Sequence, residues 1–89
     1  MIESFASRGL QAFFMTGSKA GIQPAHANKL RRQLDQAQAA GDMNIPGWKL
    51  HPLSGDMAGT WSVWVSGNWR LTFQFKDGNA QSVGYQDYH

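Results

Sequence analysis

Trp61-Ser62-Val63-Trp64-Val65-Ser66-Gly67-Asn68-Trp69-Arg70-Leu71-Thr72-Phe73-Gln74-Phe75-Lys76-Asp77-Gly78 decides the fold of this chain. Odd positions are apolar from Trp61 to Val65 and again from Trp69 to Phe75, the period of two that marks strands with one buried face. Gly67-Asn68 separates the two runs and Asp77-Gly78 closes the second; both pairs are signals for a two-residue hairpin turn. A third run, from Ala80 to Tyr88, completes an antiparallel meander. One face of this sheet carries Val63, Val65, Leu71, Phe73 and Phe75 and needs an apolar cover. The other carries Ser62, Trp64, Arg70, Thr72 and Gln74. It is predicted to stay polar and open, so function is sought there.

The cover comes from upstream. Met1 to Phe5 alternates apolar and polar residues and reads as a short strand. Ser7 is placed to cap a helix bearing Leu10, Phe13 and Phe14, with Gly17 at its end. Pro24 opens a second helix whose Ala27, Leu30, Leu34 and Ala37 share one face, and Gly41 follows it. Asp42 to Trp48, with Pro46 and Gly47, reads as a loop within the domain. The fold class is therefore α+β: an antiparallel sheet with two N-terminal helices on one face.

Composition narrows the function classes. The 89 residues suffice for one domain, spanning 1–89, and four Trp and five Phe can supply a dense small core. There is no cysteine, which removes disulfides, thiolate metal sites and cysteine nucleophiles. Three scattered histidines suggest no metal site, and no cofactor is expected. No signal peptide or bilayer-spanning stretch is read, so a cytoplasmic location without membrane association is expected. A net charge of +2 is too small for surface-wide steering, and any contact with nucleic acid must be local.

Two further segments stand out: Lys49-Leu50-His51-Pro52-Leu53-Ser54-Gly55-Asp56 and Tyr85-Gln86-Asp87-Tyr88-His89. Together with the run from Gly59 to Phe73, and in this order, they resemble the HigB branch of the RelE/ParE toxin superfamily, also called plasmid maintenance killer proteins. The resemblance extends from Ile2 to His89. It implies a RelE-like fold with the active site on the sheet face opposite the helices. It also implies a ribosome-dependent endoribonuclease that cuts mRNA in the A site. The implied partner is a separate helix-turn-helix antitoxin, HigA-like, through whose complex alone the toxin would meet operator DNA. Site positions fall on His51, Ser54, Asp87, Tyr88 and His89, with Arg70 as a phosphate ligand and Lys49 and Trp64 as further RNA contacts.

The residue types suit that chemistry. Attack of a 2′-OH on the adjacent phosphate needs a base for that proton, an acid for the leaving 5′ oxygen, and positive charge on the phosphorane. Histidine serves as acid or base near neutral pH, and the planar fork of Arg70 can hold two phosphate oxygens. Tyr88 can stack on a base or donate a hydrogen bond. Asp87 and a terminal carboxylate beside His89 would favour its acid form. Two departures stand out: Ser54 and Met57 occupy positions where the family often has Lys and Arg. Electrostatic stabilisation then falls to Arg70, Lys49 and ribosomal groups. Taken singly, each residue has a plainer reading. His51 could be a loop histidine, Arg70 a partner of a carboxylate, Trp64 an antitoxin contact, and Lys29, Arg31 and Arg32 a solvated face, with rRNA contact as the sharper reading of that cluster. The rival functions are a ParE-like inhibitor of a protein such as gyrase, and a degenerate toxin retained for antitoxin and operator binding.

Overall fold

The computed structural model describes residues 1–39 and 41–87. Helix α1 (Arg8–Thr16) starts where expected: Ser7 has an extended backbone and its hydroxyl accepts from the Leu10 N–H. It ends at Gly17 in the left-handed region, φ 79°, whose N–H returns to the Phe13 carbonyl. Pro24 begins a 3₁₀ turn (Pro24–His26) that runs directly into α2 (Ala27–Gln38). The strands β1 (His51–Pro52), β2 (Trp61–Ser66), β3 (Trp69–Lys76) and β4 (Asn79–Asp87) form one antiparallel sheet in that order. At the second hairpin Asp77 and Gly78 both have positive φ, 54° and 81°, as a type I′ turn requires. The opening segment lies parallel to β4, with Glu3 N–H on the Ala80 carbonyl and Ala6 N–H on that of Val83, both at 2.8 Å.

One core joins the helices to the sheet: Leu10, Phe13, Leu30, Leu34 and Ala37 meet Val63, Val65, Leu71, Phe73 and Val83. Two expectations need correction. The stretch from Asp42 to Trp48 is more than a connecting loop, because Met43 and Trp48 are buried in this core. Phe75, expected in the core, is 40 % exposed; it sits edge-on to Phe73, ring centroids 5.2 Å apart, and borders an open hollow with Met43, Leu50 and Trp61. Among the described residues, no helix is long and apolar enough to cross a membrane.

Alpha-helix α1 is held against the following loop by two glycines. A methyl group on Gly9 would lie 2.6 Å from the Gly21 carbonyl oxygen, with backbone on both sides of the clash. Helix propensity alone favours Ala over Gly by about 1 kcal/mol. The clash reverses the sign: Gly9→Ala is expected to destabilise the fold by about 1–3 kcal/mol. Thermal unfolding should show a drop of roughly 4–8 °C per kcal/mol for a domain of this size; a raised midpoint would contradict the packing.

Candidate active site

The sheet face away from the helices is concave. Across the strands, His51 pairs with Ser62, Ser62 with Thr72 and Thr72 with Gly84, a row of small residues beyond His51. The next row runs Trp64, Arg70 and Gln86, all long. Beside this ridge lies a hollow of about 420 Å³, lined by Lys49, His51, Leu53, Ser62 and Arg70. The prediction of an open polar face therefore holds only at the rows of long side chains. Ser62 and Thr72 are buried, 1 % and 2 % exposed. Gly84 is required beneath them, since a Cβ there would come within 2.9 Å of Thr72 Oγ1.

The segment that carries Lys49 and His51 is tied to the sheet edge. Trp64 N–H donates to the Trp48 carbonyl at 2.6 Å and Leu53 N–H to that of Thr60 at 2.8 Å, on either side of the His51–Ser62 pairing. Between them Lys49 adopts φ 52°, a left-handed conformation that costs a non-glycine residue about 1–3 kcal/mol. This kink delivers the Lys49 ammonium to the Trp64 ring, 4.8 Å from its centroid. His51 stays exposed at the rim. Ser62 Oγ is buried and has no hydrogen-bond partner among the described residues. A buried hydroxyl left unpaired costs about 1–3 kcal/mol, so Ser62→Ala is expected to stabilise the free protein by about 1 kcal/mol in denaturant unfolding. A loss of stability would mean that the hydroxyl has a partner.

Residues 3–89 match the family described as RelE-like toxin of type II toxin-antitoxin system HigB. The chain belongs to the HigB family. It is 41 % identical over 92 residues to Endoribonuclease HigB of Proteus vulgaris, covering the whole of both chains. Toxin HigB-1 of Vibrio cholerae is 34 % identical over 94 residues, covering all of this chain and 98 % of that one. The solved structures of YafQ from E. coli, as a mutant and from strain BL21(DE3), superpose with TM-scores of 0.63 and 0.62. At 18 % identity, each covers 97 % of this chain and 94 % of its own. They show the shared RelE-like fold. Membership of a type II toxin family implies an antitoxin partner.

The hollow gathers Lys49, His51 and Arg70, three of the residues singled out from sequence. Ser54 is exposed just before a 3₁₀ turn (Gly55–Met57) and does not line the hollow. Asp87 pairs with Trp69, while its neighbour Gln86 pairs with Arg70. Strand periodicity thus sets Asp87 on the side of Tyr85, away from the Arg70 face. Tyr88 and His89 lie outside the described residues. Trp64 is no bare stacking surface: Lys29 and Lys49 stand over its ring at 4.1 and 4.8 Å, and its Nε1–H donates to the Gly67 carbonyl. Of the basic residues on α2, Arg31 is structural, donating to the Phe13 carbonyl and lying over the Phe13 ring. Among the described residues no group of three or more His, Asp or Glu is placed to hold a metal ion.

Sequence reasoning missed an aromatic cluster on the helix side of the sheet. Trp69 stacks on Tyr85 with centroids 4.4 Å apart, and Tyr85 Oη lies 2.6 Å from His26 Nδ1. Burial, and then the charge of Asp87, push the Tyr85 phenol up, against the opposing bond from the Gln23 N–H. The phenol accordingly stays protonated and can donate to His26. His26, which looked ordinary in sequence, thereby fixes the start of α2 to the last strand. No local pattern links residues so far apart in the chain.

Proposed function

We propose that this chain is the toxin of a type II toxin–antitoxin pair and acts as a ribosome-dependent endoribonuclease on mRNA. Cleavage would proceed by attack of a ribose 2′-OH on the adjacent phosphate. The observation that carries this reading is the hollow in which His51, Arg70 and Lys49 converge, in a chain 41 % identical throughout to a protein named Endoribonuclease HigB. Arg70 binds the scissile phosphate, its fork matching two oxygens. Lys49 adds a second positive charge as the phosphorane forms. His51 exchanges a proton with the 2′-hydroxyl or the leaving 5′ oxygen. Tyr88 and His89 serve as base contact and as the second proton-transfer group. Asp87, set on the other side of β4 by its pairing with Trp69, acts on them through the terminal strand rather than on RNA.

The antitoxin in this reading is a helix-turn-helix, HigA-like protein, and operator DNA is met through the complex alone. The test maps the 5′ ends of a reporter mRNA in a translation extract, with ribosomes engaged and without. New ends confined to translated, ribosome-engaged message are expected; intact message under both conditions would remove the nuclease reading. Because Ser54 leaves its position uncharged near the His51 strand, Ser54→Lys is expected to raise the cleavage rate. A charged group that meets the transition state contributes about 3–4 kcal/mol at most, so a gain of roughly tenfold to a hundredfold is the range to look for. An unchanged rate would show that position 54 takes no part.

A further inference from the structure

Trp64 is held at three points. Its N–H donates to the Trp48 carbonyl at 2.6 Å, its carbonyl accepts from Gln33 Nε2 at 2.9 Å, and its indole N–H donates to the Gly67 carbonyl at 2.9 Å. Onto this fixed ring the fold brings two ammonium groups: Lys29 from α2 and Lys49 from the left-handed kink before β1. A single cation on an indole is favourable. A second on the same ring adds repulsion, and Arg32 stands near enough to add more. The cost registers on Lys29, whose ammonium is pushed below the usual lysine value by burial first, then by Arg32 and Lys49. Among the described residues no carboxylate forms an ion pair with Lys29, Arg32 or Lys49. A packing role needs only one of these cations and no local backbone strain. Like charges gathered on a rigid ring, without a counter-ion of their own, are instead arranged to receive an anion.

Lys49 also lines the hollow with His51 and Arg70, so the Trp64 platform is continuous with the site proposed for the scissile phosphate. We propose that Lys29, presented on Trp64 beside Lys49, forms a second phosphate subsite that binds a backbone phosphate of the same mRNA strand, flanking the one that is cut, with the Lys49 ammonium set between the two phosphates. The subsite rests on the nuclease reading and extends it. The message would then run from Arg70 past Trp64 toward α2. Trp64 would act as a positioning residue, holding the two ammonium groups rather than stacking on a base. Binding the flanking phosphate would anchor the strand and relieve the repulsion that Lys29 carries in the free protein.

The experiment uses the full chain and programmed ribosomes. The messages each carry one uncharged methylphosphonate, placed in turn at every linkage flanking the cleavage site. At one flanking linkage, neutralisation should lower wild-type kcat/KM about tenfold, equivalent to about 1.4 kcal/mol, chiefly through KM. Lys29→Met should lower kcat/KM on native message by a similar factor and be insensitive to neutralisation at that linkage. Lys29→Arg should restore both the rate and the sensitivity. If the two losses instead multiply at every linkage, Lys29 contacts ribosomal RNA or nothing, and the subsite is wrong. Wild-type kinetics for Lys29→Met would also overturn it. Failure of the nuclease reading looks different: the wild type leaves native message intact before any variant is made, and the subsite falls with it.

Discussion

His51→Gln is expected to reduce cleavage on programmed ribosomes by about a hundredfold to ten-thousandfold, the usual effect of losing a proton-transfer group. His51 sits in a two-residue strand whose partner is Ser62, on the rim of the hollow shared with Arg70. Its ring is exposed and, among the described residues, makes no hydrogen bond that the fold depends on. Glutamine preserves bulk and hydrogen-bonding capacity while removing the titrating nitrogen. Stability should accordingly stay within about 0.5 kcal/mol of wild type, as for other exposed positions. The measurement is a single-turnover rate on ribosomes carrying message in the A site, which separates chemistry from product release. A rate within about threefold of wild type would exclude His51 from proton transfer. Growth arrest that persists alongside that unchanged rate would turn attention to inhibition of a protein target.

Arg70 carries the second large effect. Its strand register sets it between Trp64 and Gln86, and it is partly buried alongside the row formed by Ser62, Thr72 and Gly84. Removing a preorganised group that stabilises transition-state charge costs about a hundredfold to a thousandfold in kcat. Arg70→Ala is expected to fall in that range. Arg70→Lys is the more telling variant, because it keeps the charge and loses the planar fork. If phosphate is held bidentately, the lysine variant recovers only a small part of the rate. Full recovery with lysine would show that Arg70 supplies charge at a distance and does not grip two oxygens. The two variants also separate a substrate ligand from a partner of some protein carboxylate, since only the former responds to phosphate geometry.

Much of the fold was legible because its signals are local. The alternation in Trp61–Ser66 and Trp69–Lys76 needs only a strand with one wet face, and both hairpin turns follow from the conformations open to Gly67 and Gly78. Ser7 and Gly17 bounded α1 because a cap satisfies backbone groups a few residues away. The errors have a common source. Phe75 matches the core period yet borders an open hollow and stays 40 % exposed, and Trp48 sits in a loop by local signals yet is buried by contacts from elsewhere. Ser62 and Thr72 looked exposed because alternation assigns a face and cannot report its depth. The site divides the same way. His51, Arg70 and Lys49 were found by their chemistry and by resemblance to HigB toxins. Lys29 was read as a solvated helix residue because nothing within α2 points to Trp64.

By itself the sequence determined which residues can carry charge and exchange protons, where the strands turn, and which side of each strand is apolar. These depend on interactions spanning a few residues. The tertiary structure decided that His51–Pro52 becomes an edge strand beside Ser62, that Lys49, His51 and Arg70 line one hollow, and that ammonium groups from α2 and a loop share one indole. Those outcomes depend on strand register and on the burial of α2 against the sheet. Both are settled by packing between segments distant in the chain, where no short-range pattern leaves a trace.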